Sequence, residues 1–274
     1  MSYALITGAA KGIGAAIALE LAKQKHGLIL VDIDALQLQE TAQYLRDKHF
    51  VDVVVIVQDL SEPEAAAIIF EKTKWYHAYL NIIINNAGYG LNAPFAQLNI
   101  EDQLNIIDVN IKAQLRIAHA FIPVLKQFPE SYLLNTGSTT CYQSVPYLSV
   151  YAGSKAFVLS FTRSLRYELK GTSISVSCLI PGATDTAFVT RAGMAEHTLK
   201  TAARFNMSPH EVAVAAVKGL FKRKPEIIPG FSNKLNAYIT RFVPKSLVEK
   251  VAANIYKPRD AKKQVAQQQT AAVA

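Results

Sequence analysis

The 274-residue chain has few cysteines and no long apolar run. Its two cysteines, Cys141 and Cys178, lack the spacing of metal ligands and are too few for a disulfide framework. No stretch of about 18 uncharged apolar residues occurs, and Met1 leads straight into a strand-like run without a signal-peptide pattern. These absences exclude a disulfide-rich scaffold and a membrane-spanning protein, and we expect a soluble cytoplasmic protein without a metal site.

The net charge of +8 belongs to the C-terminal end of the chain. Residues 222–263 hold 11 Lys and Arg against three acids, whereas the other residues hold 18 bases and 18 acids. This basic end contains no recognisable motif for reading nucleic-acid bases, so we expect no nucleic-acid partner.

A basic amphipathic extension is predicted for residues 231–263. The apolar face of this extension either packs on the rest of the chain or on a second subunit, with its lysines in solvent, or lies on an anionic membrane surface. Residues 264–274 are polar and alanine-rich and are predicted to form a disordered tail. The apolar residues of the extension fall at roughly helical spacing and indicate two helices broken near Pro244: Phe231, Leu235, Tyr238, Ile239, Phe242, Leu247, Val248, Val251 and Ile255.

Seven short apolar, β-branched runs alternate with helical segments through the first 230 residues. Most of these runs are continuous, which is typical of strands buried on both faces of a parallel sheet. The sequence therefore predicts one α/β domain over residues 1–230, with a doubly wound, Rossmann-type, mostly parallel seven-stranded sheet and helices on both faces. The predicted strands are residues 3–7, 27–31, 51–57, 80–85, 132–136, 174–180 and 226–229.

Two segments between the sixth and seventh predicted strands are predicted to form a loop and a helix. Ser208, Pro209 and Glu211 form a capping-box pattern, which predicts a helix over residues 209–222. Residues 182–206 show weak periodicity and are too long for a simple connection. We interpret the segment from about 183 to 206 as a substrate loop.

A glycine-rich turn over residues 7–14 follows the first predicted strand, and a predicted helix over residues 15–24 follows the turn. Glycines let the backbone approach a pyrophosphate, and the N–H groups at the start of the next helix stabilise the anion. The spacing is G-x-x-x-G-x-G rather than the G-x-G-x-x-G of other dinucleotide-binding proteins. The predicted dinucleotide contacts come from Gly8, Lys11, Gly12, Ile13 and Gly14.

Asp32 ends the second predicted strand and decides which dinucleotide we expect. Its carboxylate can accept hydrogen bonds from ribose hydroxyls and would repel a 2′-phosphate, which predicts NAD. Lys11 offers a cation to that phosphate, so NADP stays an alternative, and a solvated surface lysine is the other interpretation of Lys11. Asp59, followed by Leu60, is predicted to contact adenine, although Asp59 could instead cap the start of a helix.

Five motifs occur in a fixed order along the chain: Thr7–Gly14, Asn85-Asn86-Ala87-Gly88, Ser138, Tyr151-Ala152-Gly153-Ser154-Lys155 and Pro181-Gly182. In this order and spacing they resemble the short-chain dehydrogenase/reductase family, over residues 3–230. The segments that begin at Ser138 and Pro181 are similar to a bacterial branch of that family whose members mostly have undefined substrates. The resemblance implies an NAD(P)-dependent oxidoreductase that assembles as a homodimer or homotetramer.

Tyr151 and Lys155 are also a chemically sensible pair by themselves, because residues four apart share one face of a helix. An adjacent ammonium favours phenolate and lowers the pKa of a phenol from about 10. Tyr151 is therefore predicted to exchange a proton with a carbonyl or alcohol oxygen, with Ser138 as a second donor to that oxygen. The resemblance adds contact of Lys155 with the nicotinamide ribose and a proton relay through Asn110. The alternatives are a turn cap for Ser138 and a buried, helix-distorting role for Asn110.

Further cofactor contacts are expected where the fourth and sixth strands end. Small residues after strand four permit close backbone approach, which favours contacts from Asn86, Ala87 and Gly88. The resemblance assigns the nicotinamide carboxamide to Pro181, Gly182, Thr184 and Thr186, although Thr184 stands where the family more often has Val or Ile.

The substrate is predicted to be a fairly apolar carbonyl compound or secondary alcohol. A nucleotide-sensing binding protein with the same fold and no turnover is the alternative function. The substrate prediction depends on apolar and aromatic residues that could equally belong to the core: Phe188, Met194, Phe205, Tyr142 and Tyr147.

Overall fold

The computed structural model describes residues 2–184, 192, 206–240 and 242–258. The strands among them are β1 Tyr3–Thr7, β2 Gly27–Asp32, β3 Val53–Val57, β4 Leu80–Asn85, β5 Ser131–Thr136, β6 Ile174–Leu179 and β7 Glu226–Ile227. The α-helices are α1 Gly12–Lys23, α2 Ala35–His49, α3 Ala65–Lys72, α4 Ile100–Ile107, α5 Gln114–Leu125, α6 Ser149–Glu168, α7 Pro209–Phe221, α8 Phe231–Ile239 and α9 Lys245–Tyr256. A π-helical segment, Asp108–Ala113, joins α4 to α5, and single 3₁₀ turns lie at Lys74–Tyr76, Phe95–Gln97 and Thr139–Tyr142.

The seven strands form one sheet in the order β3-β2-β1-β4-β5-β6-β7, and every neighbouring pair is parallel. The predicted doubly wound fold is therefore confirmed. The strand order reverses between β1 and β4, and ligands of such sheets bind beyond the carboxyl ends of the strands at this point. β3 begins two residues later than predicted. β7 is shorter than predicted because it lies at the sheet edge between Pro225 and Pro229, which lack the N–H that a strand ladder needs.

Helices cover both faces of the sheet because successive side chains of each strand point to opposite faces. Ala4 and Ile6 of β1 pack in one apolar layer with α1, α2 and α7. Leu5, between them, packs in the opposite layer with α3 and α5. All three side chains are fully buried, which accounts for the continuous apolar run in the sequence.

A series of buried polar side chains links the middle of the sheet to α6. Asn85 Nδ2 donates to Asn135 Oδ1 at 3.0 Å, and Asn135 Nδ2 donates to Thr162 Oγ1 at 3.0 Å. Thr162 Oγ1 in turn donates to the Val158 carbonyl at 2.6 Å. Because buried polar groups are costly to leave unpaired, these hydrogen bonds fix the position of α6 against β4 and β5.

The two helices predicted for the C-terminal segment are present as α8 and α9, and Pro244 directly precedes α9. Ala252 of α9 is buried against Val145, Leu148 and Ala152 at the start of α6. At least α9 therefore packs on the rest of its own chain.

Parts of the predicted organisation lie outside the described residues, namely the tail over residues 264–274 and most of the substrate loop from 183 to 206. Across the described ranges, no helix is both long and apolar enough to cross a lipid bilayer.

The capping box at Ser208 yields a test of the fold. Ser208 Oγ accepts a hydrogen bond from the Glu211 N–H at 3.2 Å, and Glu211 Oε2 accepts one from the Ser208 N–H at 2.9 Å. Ser208→Ala removes the first of these bonds and should lower the free energy of unfolding by about 1 kcal/mol. Denaturant titration followed by circular dichroism measures the change. Ser246→Ala, inside the first turn of α9, is the matched control and should change stability little; equal losses in both variants would contradict the capping role.

Candidate functional site

A cavity of about 720 Å³ opens beyond the carboxyl ends of the strands, at the switch point between β1 and β4. Gly14 and Asn110 lie outside its lining, and Thr186 lies outside the described residues. The other residues predicted for the site all line this one cavity: Gly8, Lys11, Gly12, Ile13, Asp32, Asp59, Leu60, Asn86, Ala87, Gly88, Ser138, Tyr151, Lys155, Pro181, Gly182 and Thr184.

The glycine turn fits a pyrophosphate. Gly8 and Gly12 have φ angles of 65° and 61°, which residues with a side chain rarely adopt. Gly14 lies directly beneath the turn, because a Cβ placed on it would be 2.0 Å from the Gly8 carbonyl oxygen. α1 starts at Gly12 and has no acidic residue in its first turn, so the positive end of the helix faces the cavity without a neighbouring carboxylate of its own.

Asn86 holds the glycine turn against the end of β4. Its Nδ2 donates to the carbonyls of Thr7 at 3.0 Å and Gly8 at 3.2 Å. Thr7 Oγ1 accepts hydrogen bonds from the N–H groups of Asn86 at 3.0 Å and Ala87 at 3.1 Å. These four hydrogen bonds join the end of β4 to the glycine turn that follows β1.

Asp32 and Lys11 have different hydrogen-bond and charge partners. The Asp32 carboxylate accepts hydrogen bonds from the N–H groups of Ala10 at 2.9 Å and Asp34 at 3.1 Å, which fix it at the cavity wall. Lys11 Nζ instead lies 3.2 Å from Asp34 Oδ2 in an exposed ion pair. A hydrogen bond from the Gln37 N–H and the ion pair with Lys11 hold the pKa of Asp34 below its usual value. The cation of Lys11 thus already has a carboxylate partner.

The helix-cap alternative for Asp59 is wrong, because α3 begins only at Ala65. Asp59 Oδ1 accepts hydrogen bonds from both the N–H and the hydroxyl of Ser61 at 2.8 Å and so closes a local turn. Asp59 and Leu60 both line the cavity on the side of β3. Their position is compatible with an adenine contact.

Tyr151, Lys155 and Ser138 come together at the cavity wall. Tyr151 and Lys155 lie on one face of α6, with Lys155 Nζ 5.7 Å from the centroid of the tyrosine ring. Lys155 Nζ donates to the Thr136 carbonyl at 2.9 Å. The Tyr151 phenol is hydrogen-bonded to the Ser138 side chain. Ser138 Oγ also accepts from the Thr140 N–H at 3.3 Å, so this serine caps a turn and contacts the tyrosine at once.

Burial, rather than the lysine, dominates the protonation of this pair. Partial burial in the cavity wall raises the pKa of Tyr151 well above its usual value, and the hydrogen bond from Ser138 offsets only part of that rise. Burial lowers the pKa of the Lys155 ammonium to about 8. The expected lowering of the Tyr151 pKa by Lys155 is therefore not found. The ammonium lies over the ring and is itself desolvated, so it stabilises a phenolate less than the loss of water destabilises it.

Asn110 is buried in the π-helical segment and bonds to two other elements. Its Oδ1 accepts from the Tyr89 N–H at 3.0 Å, and its Nδ2 donates to the Tyr89 carbonyl at 3.0 Å and to Ser154 Oγ at 2.9 Å. The helix-distorting alternative therefore describes its position. A Cβ added to Gly88 would lie 2.9 Å from Asn110 Oδ1 and 3.1 Å from Lys155 Nζ, so only glycine leaves room between these two groups.

Sequence reasoning missed how far the C-terminal helices contribute to the cavity. Ser232, Asn233 and Asn236 of α8 and Ile255 and Tyr256 of α9 line it. The three polar residues lie on one side of α8, and their spacing could have indicated a contribution to the site. The prediction instead followed the apolar residues on the other side, which indicated packing or contact with a membrane.

α9 is fixed to the cavity by a loop residue that also escaped prediction. Asn92 Nδ2 donates to the Tyr256 carbonyl at 3.0 Å and to the Tyr147 carbonyl at 3.3 Å. The side chains of Tyr142 and Tyr147 do not line the cavity. The Tyr142 hydroxyl donates to Glu226 Oε2 at 2.5 Å, behind the site. Phe188, Met194 and Phe205 lie outside the described residues.

A family model described as short chain dehydrogenase matches residues 2–197. An uncharacterized oxidoreductase of Staphylococcus saprophyticus is 31% identical over 217 residues, which cover 79% of this chain and 90% of the relative. A short-chain dehydrogenase from Sphingobium yanoikuyae, solved in complex with NADPH, is 32% identical with a TM-score of 0.79 over 90% of this chain and 95% of its own. The bulky-bulky ketone specific alcohol dehydrogenase from Comamonas testosteroni is 28% identical with a TM-score of 0.73, over 88% and 93% of the two chains.

Gly14 gives a test of the pyrophosphate site. Gly14→Ala places a methyl group against the Gly8 carbonyl, which must move the turn and should weaken binding of NAD and NADP by roughly tenfold or more in calorimetric titrations. Gly153→Ala is the matched control, because a Cβ at Gly153 in α6 meets no atom within 4 Å. The control should bind as the wild type does and be more stable by up to about 1 kcal/mol. Unchanged dinucleotide binding by Gly14→Ala would contradict the assignment of the turn.

Proposed function

The chain belongs to the short-chain dehydrogenase/reductase family, and from this premise we propose that it transfers a hydride between a nicotinamide dinucleotide and a carbonyl compound or secondary alcohol. The bound dinucleotide supplies or accepts the hydride. One observation carries the proposal: a single cavity joins the glycine turn at the start of α1 to the hydrogen-bonded Tyr151 and Ser138 side chains.

Tyr151 is proposed as the general acid and base. In the reducing direction its hydroxyl donates a proton to the substrate oxygen, while Ser138 donates a hydrogen bond to the same oxygen and stabilises the charge that develops there. A raised phenol pKa keeps Tyr151 protonated at neutral pH, which suits this direction. In the oxidising direction Tyr151 must accept the alcohol proton as phenolate, and the charged Lys155 beside it lowers the cost of that state.

Lys155 and Asn110 are proposed to return the proton to solvent. A pKa of about 8 leaves Lys155 mainly charged at pH 7 but within reach of deprotonation. A Cβ on Gly88 would lie 2.9 Å from Asn110 Oδ1 and 3.1 Å from Lys155 Nζ, so the two groups approach one another beside this glycine, and we propose that a water molecule passes a proton between them. The bonds that Asn110 makes to Tyr89 and Ser154 position it for this relay.

The dinucleotide contacts are proposed as follows. The glycine turn and the start of α1 bind the pyrophosphate, and Asp32 accepts hydrogen bonds from the adenosine ribose. Asp59 and Leu60 contact the adenine, Asn86, Ala87 and Gly88 lie along the nicotinamide side, and Pro181, Gly182, Thr184 and Thr186 hold the carboxamide.

The substrate is proposed to be a fairly apolar ketone or secondary alcohol. Val109, Leu148, Ile255 and Tyr256 provide an apolar lining in the same cavity as Tyr151. The Comamonas testosteroni relative is by its name specific for bulky-bulky ketones, which supports a substrate of this class. Screening apolar ketones and their alcohols by the absorbance of the reduced nicotinamide identifies it.

Two chains are proposed to pair through α4 and α6. Leu104 of α4 and Phe157 of α6 are large apolar side chains left 44% and 41% exposed on these helices. Contact with a second copy would cover them.

Tyr151→Phe tests the catalytic role. Loss of the proton donor should reduce kcat by about 10²–10⁴-fold, while the dinucleotide still binds because only a hydroxyl is removed. Tyr167→Phe, at an exposed position on the same helix, is the matched control and should keep wild-type kcat. Retention of more than about a tenth of kcat by Tyr151→Phe would show that the proton comes from another group. Absence of turnover in the wild-type protein, with NAD(P) still bound, would favour the nucleotide-sensing alternative.

Asp32 tests the cofactor preference. NAD should bind more tightly than NADP, because the fixed Asp32 carboxylate repels a 2′-phosphate and Lys11 is already paired with Asp34. Asp32→Asn keeps a hydrogen-bond acceptor but removes the negative charge. The ratio of NAD to NADP affinity, measured by calorimetric titration, should therefore fall by roughly tenfold. Asp47→Asn, on the exposed face of α2, should leave both affinities unchanged. The Sphingobium yanoikuyae relative was solved with NADPH, and tenfold tighter binding of NADP by the wild-type chain would make Lys11 the dominant residue instead.

A further inference from the structure

α8 is amphipathic with its apolar side turned outward. Phe231, Leu235, Tyr238 and Ile239 are spaced i, i+4, i+7 and i+8, which places them on one side of the helix, and Phe242 continues that spacing just after its end. Their exposed fractions run from 45% for Ile239 to 80% for Phe231. A group of large apolar side chains in solvent marks a contact surface.

The opposite side of α8 is polar and faces the protein. Ser232, Asn233 and Asn236 line the cavity, and Ala237 is buried. Asn233 Nδ2 donates to the Pro229 carbonyl at 2.9 Å. Asn233 Nδ2 also donates to Met207 Sδ at 3.7 Å, and a Cβ on Gly182 would collide with the Asn233 side chain. The inner side of α8 therefore already contacts the rest of the protein, and the outward apolar residues are a separate surface.

α9 follows α8 in sequence, lines the same cavity and has a similar division between buried and exposed sides. Leu247 and Val251, one turn apart, are each 53% exposed, whereas Ala252 on the other side packs against the start of α6. The outward side chains of the two helices, called the C-terminal face below, are Phe231, Leu235, Tyr238, Ile239, Phe242, Leu247 and Val251.

The exposed charges of the two C-terminal helices are positive. The exposed lysines on α8, α9 and the residue after α9 are Lys234, Lys245, Lys250 and Lys257. Glu249, which is only partly exposed, is the one acidic residue in the sequence from 231 to 258. Lysines around an exposed apolar surface attract an anionic partner that can also accept apolar side chains.

We propose that the C-terminal face docks on an anionic lipid surface. The apolar side chains enter the boundary between headgroups and acyl chains, and the lysines contact the lipid phosphates. A two-fold contact between two copies through this face would gather the lysines of both copies around one interface with only the Glu249 of each copy to offset them, which disfavours a second copy as the occupant. The proposal does not depend on the proposed reaction, although docking would bring the cavity, lined by the inner sides of α8 and α9, close to the bilayer.

Vesicle flotation with the full chain tests the docking. Wild-type protein should float with phosphatidylcholine vesicles that contain phosphatidylglycerol, and should float far less with phosphatidylcholine alone or in high salt. Lys234→Gln combined with Lys250→Gln should weaken the partition by roughly 30-fold. The matched control, Lys72→Gln with Lys170→Gln, removes the same charge from exposed positions elsewhere and should float as the wild type does.

The apolar contribution is tested separately with Leu235→Glu, which should abolish flotation. Trp75→Glu is its control, since Trp75 is 90% exposed on another part of the surface. Circular dichroism and dinucleotide binding verify that each variant is folded. Because Trp75 is the single tryptophan, Tyr238→Trp in a Trp75→Phe background gives a second readout, and its emission should shift to shorter wavelength on the anionic vesicles.

Equal flotation of the Lys234/Lys250 double variant and its control would show attraction by net charge alone and overturn the proposal. So would an unshifted Tyr238→Trp emission. Light scattering measures the oligomeric state and tests a second copy as the occupant of the C-terminal face. If the wild type does not float but forms an oligomer that Leu235→Glu dissociates, the proposal is overturned and the face is an interface between copies.

Discussion

The close contact between the glycine turn and the end of β4 sets the geometry of the whole cavity. Gly14 lies so near the Gly8 carbonyl that no side chain fits, and Asn86 bonds to the carbonyls of Thr7 and Gly8. These contacts hold the first turn of α1 against the ends of the two central strands, where the strand order reverses. The positive end of α1 is thereby fixed at one end of the cavity. An anionic group bound there sets which other lining residues the rest of an extended ligand can reach.

At the other end of the cavity, the position of α6 depends on buried polar contacts. The hydrogen bonds from Asn85 through Asn135 to Thr162 fix the middle of the helix, and Asn110 reaches Ser154 near its start. The π-helical segment gives Asn110 this reach, because the wider turn directs its side chain towards Tyr89 and α6. Tyr151 and Lys155 on α6 are therefore positioned by buried polar bonds that are costly to break. Burial raises the pKa of Tyr151, which is partly covered in the cavity wall, and lowers the pKa of the more deeply buried Lys155.

The C-terminal helices lie between the cavity that Tyr151 lines and the surface of the protein. α9 packs against the start of α6 and is bonded at Tyr256 by Asn92, while α8 places polar side chains on the cavity and apolar ones outside. A segment that is basic and amphipathic in sequence thus completes the wall of the site. One side of this segment lines the cavity, and the other side forms the C-terminal face on the outer surface.

The sequence alone determined the sheet, the glycine turn and the pairing of Tyr151 with Lys155, because these are local: apolar runs, glycine spacing and residues four apart on a helix need no knowledge of distant contacts. It also predicted the two C-terminal helices and the break near Pro244. Only the tertiary structure decided which side of α8 faces inward, since helical spacing defines two sides without saying which one meets the protein. Likewise, the spacing of Tyr151 and Lys155 predicted a lowered phenol pKa, whereas partial burial of Tyr151 in the cavity wall raises that pKa and burial of Lys155 lowers the pKa of its ammonium. The pairing of Lys11 with Asp34, rather than with a ligand, and the three bonds of Asn110 depend on segments more than 20 residues away, and sequence spacing carries no information on such contacts.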